Sequence, residues 1–169
     1  MRSENRSIGG AEQPFHHSSF RIQHCPMTQI DFYTHVENKL ATACALAGKA
    51  HARGLRVTVL LADPETAQRF DRLLWTTPAI GFVPHCAPDD PLAPETPVIV
   101  DWRGEQLLHE EVLLNLRPEW PPGFGRFQRL IEIVSRDGED RARARERYRV
   151  YRDRGYEIRT HDLSKASDQ

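Results

Sequence analysis

Cysteine is sparse in this chain of 169 residues. Cys25, Cys44 and Cys86 form an odd, widely spaced set that supplies neither a disulfide framework nor a CxxC metal or redox pair. The expected setting is therefore reducing and cytoplasmic. Long apolar runs are missing too. The longest, such as VTVLLA at 57–62, is far too short to span a bilayer, and no secretory apolar segment precedes a small-residue cleavage site near the start. Net charge is nearly absent: 23 Lys and Arg stand against 24 Asp and Glu, a formal balance of −1. Any basic patch is consequently local, whereas a protein that coats nucleic acid would carry more positive charge. Phosphate-cradling signatures are lacking as well. The GFG at 123–125 is not a GxGxxG after a strand, and no GxxxxGK[ST] occurs. Without a nucleophile elbow or a metal-binding carboxylate pair, no enzyme active site and no cofactor are expected.

What is present suits one domain. Hydrophobic residues make up 39% and charged residues 28%, ordinary values for a chain long enough to bury a core. Residues 1–26 are polar and aperiodic and read as a disordered extension, with Met27 as an alternative working start. His16, His17, His24 and Cys25 lie on that stretch, where no fold fixes a metal geometry. QIDFYT suits a first strand. Leu40, Ala43, Cys44, Ala47 and Ala50 recur at helical spacing over 38–53, with Gly54 as the C-terminal cap. LRVTVLLA is a β-branched run of the kind buried on both faces. Asp63 and Pro64 then open a helix reaching about Leu74. Further strands are expected at 97–102, 112–117 and 130–135, an Arg-rich helix from Gly138 to Arg154, and a final edge strand at 156–160. This order predicts a single-domain α/β sandwich over 27–163 with a mostly parallel sheet, and a short disordered tail at 164–169.

The strongest functional signal is the run DGEDRARARERYRVYRDRG. At about 100° per residue, Arg141, Arg145, Tyr148, Arg149 and Arg152 share one helical face. Ala144, Tyr148 and Tyr151 have the spacing of a packing seam that lays this helix on the sheet. Every basic residue of the helix is Arg, whose planar fork grips carboxylates and phosphates with two parallel bonds. The plain alternative is a solvated helix laced with ion pairs to Glu146 and Asp153. Docking of something acidic with an apolar end is the functional reading.

LLWTTPAIGFVPH at 73–85 is the second candidate. Trp75, Phe82 and Val83 fall in a segment punctuated by Pro and Gly, outside any periodic element, where large apolar residues either anchor a partner or roof the core. His85 and Cys86 are adjacent but have no evident orienting partner, so a thiol enzyme is the weaker reading. Asp63, Asp101, Glu110 and Glu111 are scattered as caps and turns would be.

These blocks carry a family resemblance. FYT at 32–34, LLWTTPAIGFVPH, and ARERYRVYRDRGYEIRT at 144–160 together resemble the chi-subunit family of bacterial DNA polymerase III, from Met27 to about Asp162. The resemblance implies a Rossmann-like three-layer fold and a noncatalytic, cytoplasmic replication protein without a cofactor. It implies two partners: the small psi subunit, a link to the clamp loader, and the acidic C-terminal tail of single-stranded DNA-binding protein, which ends in Phe with a free carboxylate. The tail-binding positions carry over to Val134, Arg141, Arg145, Tyr148, Arg149 and Arg152. Of these, Arg141 and Arg149 stand where a relative has lysine. Arg145 would pair with the terminal carboxylate while Val134 and Tyr148 flank the phenyl ring. The psi-facing surface carries over to Trp75, Pro78 and Phe82, a surface that also serves a helicase-like repair partner in the family. Nucleic-acid contact is then mainly indirect. Direct binding of single strands through the same arginines is the rival, although Tyr148 and Tyr151 offer few stacking platforms.

Overall fold

The computed structural model describes residues 27–77 and 81–164. The extension at 1–26 with its His and Cys residues, Pro78, and the last residues at 165–169 lie outside the described residues. Within them the chain alternates as β1 (Gln29–Val36), α1 (Lys39–Ala52), β2 (Val57–Leu60), α2 (Pro64–Thr76), β3 (His85–Cys86), β4 (Val98–Asp101), β5 (Val112–Asn115), β6 (Arg129–Ser135), α3 (Gly138–Asp153) and β7 (Ile158–Asp162). The strands form one sheet in the order β3-β4-β2-β5-β6-β1-β7. All the pairings are parallel, so the sheet goes beyond the mostly parallel one expected. The result is a single Rossmann-like α/β domain.

Alternation along each strand builds two cores. Val57, Val59, Leu114, Ile131 and Ile133 point to one face, where Ala43, Cys44 and Ala47 of α1 and Ala67, Phe70 and Leu74 of α2 cover them. Ile30, Phe32, Leu60, Leu113, Leu130 and Val134 point to the other, where Ala144 and Tyr151 of α3 and the rings of Phe124 and Phe127 lie. Local signals set the helix starts. Asn38 accepts from the Ala41 N–H at 3.0 Å, Asp63 from the Thr66 N–H at 2.7 Å, and Asp137 from the N–H groups of Glu139 and Asp140, both at 3.0 Å. Gly54, at φ 74°, turns the chain after α1.

Besides small shifts of strand bounds, 112–117 shortening to Val112–Asn115 and 156–160 moving to Ile158–Asp162, four details differ from the sequence reading. α2 runs on to Thr76, so Trp75 belongs to its last turn and not to a loop. Its side chain lies on the helix's outer side, where the apolar pattern that marks a packed helix is silent. Two residues, His85 and Cys86, add an edge strand beside β4 that is too short to show any period. The strand read into LRVTVLLA is limited to Val57–Leu60. Finally, the seam of α3 is Ala144, Arg147 and Tyr151, with Tyr148 only half-buried.

Candidate functional site

Beneath α3 lies a charge that accounts for this seam. Glu132 of β6 and Asn115 of β5 are fully buried on the face that α3 covers. Arg147 Nε donates to Glu132 Oε2 at 3.1 Å, and Nη2 lies 3.0 Å from the same oxygen without hydrogen-bond alignment. Arg147 Nη1 donates to the Pro118 carbonyl at 2.6 Å. The Tyr151 hydroxyl donates to Glu132 Oε1 at 2.7 Å, and Asn115 Nδ2 lies 3.2 and 3.1 Å from the two carboxylate oxygens. Burial, with the negative Glu132 beside it, pushes the Tyr151 hydroxyl far above its ordinary value of 10.0, so it remains a donor. One guanidinium of the helix is thus consumed internally, and it is one that does not belong to the stripe. Sequence reasoning missed Arg147. The available signal was Glu132, an acid in the midst of an apolar strand that demands a cationic partner from the layer above.

With its docking charge satisfied in this way, α3 leaves the stripe at the surface. Arg141, Arg145, Arg149 and Arg152 are all exposed. Arg152 lies 3.2 Å from Asp153, a neighbouring exposed carboxylate. Among the described residues, the guanidinium groups of Arg141, Arg145 and Arg149 have no carboxylate within 4.0 Å.

Between α3 and the C-terminal halves of β1, β6 and β7 is a hollow of about 250 Å³. Arg141, Ala144, Arg145 and Tyr148 of α3 form one wall. Phe32, Thr34 and His35 of β1, Val134 of β6 and Thr160 of β7 form the rest. Val134 is only 3% exposed, so it offers an edge of its side chain at the floor. The Tyr148 ring stands edge-on to Phe32 with centroids 5.4 Å apart, which fixes the apolar side of the cavity. The hollow therefore joins an aromatic-lined floor to two free guanidinium groups, at the strand ends where open α/β sheets place their ligands. Of the six positions assigned to tail binding, four line this hollow. Arg149 and Arg152 lie along the helix outside it. Phe32, Thr34, His35 and Thr160 were not among the candidates. Phe32 and Thr34 share a face by strand alternation, but which helix covers that face cannot be read from one sequence.

The second candidate lies toward the opposite edge of the sheet. Trp75 is 62% exposed and Phe82 68%, their ring centroids 5.5 Å apart. Val83, between Phe82 and the short β3, is buried and is the residue that roofs the core. The His85 ring stands edge-on beneath Trp75 at 5.1 Å. Its Nδ1 lies 2.7 Å from the Val83 carbonyl, and its Nε2 3.1 Å from Asp71 Oδ1. His85 thus braces the aromatic pair, and among the described residues it makes no hydrogen bond to Cys86. Asp101 is buried and serves the turn after β4, its carboxylate accepting from the Arg103 and Gly104 N–H groups at 2.8 and 3.0 Å. Asp63 caps α2, Glu110 pairs with Arg126 at 2.7 Å, and Glu111 accepts from the Arg56 N–H at 2.7 Å. Among the described residues no group of three or more His, Cys, Asp or Glu side chains gathers as metal ligands would, and no helix is long and apolar enough to cross a membrane.

Comparison with known proteins gives one consistent answer. The family model described as DNA polymerase III chi subunit, HolC, matches residues 27–159. The chain is 32% identical over 141 residues to the DNA polymerase III subunit chi of Pseudomonas aeruginosa, covering 81% of this chain and 98% of that one. It is 30% identical over 137 residues to the subunit of Haemophilus influenzae, covering 78% and 95%. Against the subunit of Escherichia coli it is 28% identical over 134 residues, covering 79% and 89%.

Proposed function

Because this chain belongs to the DNA polymerase III chi subunit family, we propose that it serves the replicative polymerase as a noncatalytic adaptor. It holds the acidic C-terminal tail of single-stranded DNA-binding protein in the hollow under α3. It meets psi, or an equivalent clamp-loader component, through Trp75, Pro78 and Phe82. The observation that carries the reading is the pairing of an apolar floor with unpaired arginines at one mouth.

The chemistry follows from the parts. A terminal phenyl ring fills the space between Val134, Phe32 and Tyr148, and its burial is worth about 1.5–3 kcal/mol. Its α-carboxylate then lies within the reach of Arg145, where a two-pronged charge-assisted pair forms in a partly desolvated setting. Arg141, Arg149 and Arg152 attract the acidic residues upstream, each exposed pair adding about 0.2–1 kcal/mol. A titration with a short Asp-rich peptide ending in Phe tests this. The free acid binds, its C-terminal amide binds much more weakly, and Arg145→Ala costs more affinity than Arg152→Ala. Equal losses in the two variants, or tight binding of an oligonucleotide in place of the peptide, refute the assignment.

A further inference from the structure

His35 is the one residue of the hollow whose backbone is strained. It has φ 58° and stands alone among the described non-glycine residues in that left-handed region. A side chain there costs free energy and persists where the surroundings impose it, most often at functional positions. The surroundings here are specific. The register of β1 on β6 slips between Tyr33 and Val36, which places His35 in the irregularity. Arg136 Nε donates to the His35 carbonyl at 3.2 Å. On the ring side, Nδ1 lies 2.9 Å from Asp162 Oδ1 at the end of β7. Asp162 is held below the ordinary carboxylate value, first by the hydroxyl and N–H of Ser164 and then by His35 itself. An ionised carboxylate only accepts, so Nδ1 carries the proton and Nε2 is the nitrogen left over.

We propose that His35 is a recognition residue of this hollow, offering Nε2 to a carboxylate of the bound acidic peptide, and that this contact makes binding proton-linked. The proposal rests on the hollow being the tail site. With Nδ1–H committed to Asp162, Nε2 of the neutral ring is a lone pair that repels a carboxylate, and becomes a donor only when the ring gains a second proton. Binding of the peptide therefore takes up a proton. The charged groups that face the ring are Asp162 from β7, 2.9 Å from Nδ1, and Arg141 and Arg145 across the hollow, which the peptide neutralises; the incoming carboxylate is the partner that binding adds at Nε2. Arg136 behind the backbone is already paired with Glu37 at 3.0 Å. The contact thus discriminates: it strengthens for an acidic, free-carboxylate ligand and gives nothing to a neutral one.

The test is calorimetric titration of the full chain with the Asp-rich, Phe-ending peptide across about pH 8 to 6, the range in which imidazole titrates. Affinity rises roughly three- to tenfold toward the acid end, with net proton uptake measured from buffers of different ionisation enthalpy. In His35→Asn, a residue that tolerates the left-handed region, the slope and the proton uptake disappear. His35→Gly, which removes the strain, keeps its unfolding midpoint while losing affinity near pH 6, a split that a purely structural role would not produce. An unchanged slope in His35→Asn overturns the proposal. Arg145→Ala run beside it separates the two levels: if Arg145→Ala weakens binding while the His35 variants do not, only the role of His35 falls, and if Arg145→Ala is inert the tail-site reading falls with it.

Discussion

The hollow under α3 and the aromatic pair at the end of α2 are built on opposite principles. α2 docks by an apolar stripe, with Ala67, Phe70 and Leu74 buried, and so needs no charge to hold it. Its last turn holds Trp75, which with Phe82 makes a projecting neutral surface. α3 buries only Ala144, Arg147 and Tyr151 in sixteen residues. Two of these three meet the buried Glu132 carboxylate, so the seam of α3 is partly polar where that of α2 is wholly apolar. The exterior of α3 carries Arg141, Arg143, Arg145, Arg149 and Arg152 beside the acids Glu139, Glu146 and Asp153. Concentrating the docking in one pair is what leaves Arg141, Arg145 and Arg149 unpaired. A concave cationic surface suits a flexible charged terminus, and a projecting aromatic one suits a structured partner.

The largest expected effect breaks the comparison at that pair. Arg147→Ala strands the Glu132 carboxylate beneath the helix and costs about 3–5 kcal/mol, measured by denaturant unfolding. Replacing both members by Glu132→Leu with Arg147→Met restores most of that loss, since apolar residues of similar volume avoid the buried charges altogether. A loss below about 1 kcal/mol in Arg147→Ala would mean that α3 is held apolarly, as α2 is, and that the contrast between the two helices is wrong.

Next in size is the independence of the two surfaces. Arg145→Ala weakens peptide binding by about 2 kcal/mol or more, the range of a central anchor, while Trp75→Ala with Phe82→Ala leaves it within about twofold. Pull-down of a clamp-loader component shows the reverse dependence. Raising salt weakens the peptide complex severalfold and barely touches the aromatic contact, because the Debye length falls from about 10 Å to 3 Å between 0.1 and 1 M. Loss of both activities in either variant would merge the two surfaces into one site.

Much of this was legible in the residues, and the failures have physical causes. The helix starts near Asn38, Asp63 and Gly138 could be read because the signals that set them, periodicity and the Asp63 cap, are local in sequence. The arginine stripe could be read because helical periodicity is local. The placement of Trp75 was not, because the exposed end of a helix carries no apolar period to mark it. The role of Arg147 was hidden because it depends on Glu132, fifteen residues away on another element. Charge counting treats all the arginines of α3 alike, and only the third dimension separates the one that holds the helix from those that face outward. The β1 and β7 walls of the hollow were invisible for the same reason. Their side chains meet α3 through a strand order in which β1 is inserted between β6 and β7.

The smallest effect concerns the clasp between the two helical layers. Lys39 opens α1 on one face of the sheet, and its Nζ lies 3.1 Å from Asp140 Oδ1 in the first turn of α3 on the other. Asp140 Oδ2 accepts from the N–H and the hydroxyl of Ser135, both at 2.8 Å. Burial pushes this carboxyl up, but the Ser135 bonds and the Lys39 ammonium outweigh it and hold Asp140 below its ordinary value of 3.8. A carboxylate depressed by folding contributes stability that is complete above its unfolded value and is lost as the pH falls through the folded one. Asp140→Asn therefore costs about 1.5–3 kcal/mol at neutral pH, the range of hydrogen bonds to a charged group. The gap to the parent chain closes at strongly acid pH, as the pH falls through the lowered folded-state value and the parent is protonated as well. Paired unfolding curves at the two pH values check it. Because the clasp engages the first turn of α3, amide exchange in that turn quickens in Asp140→Asn while α2 stays as it was; equal quickening in α2 would show that the two helices share one unit of stability and that the surfaces they carry are not independent.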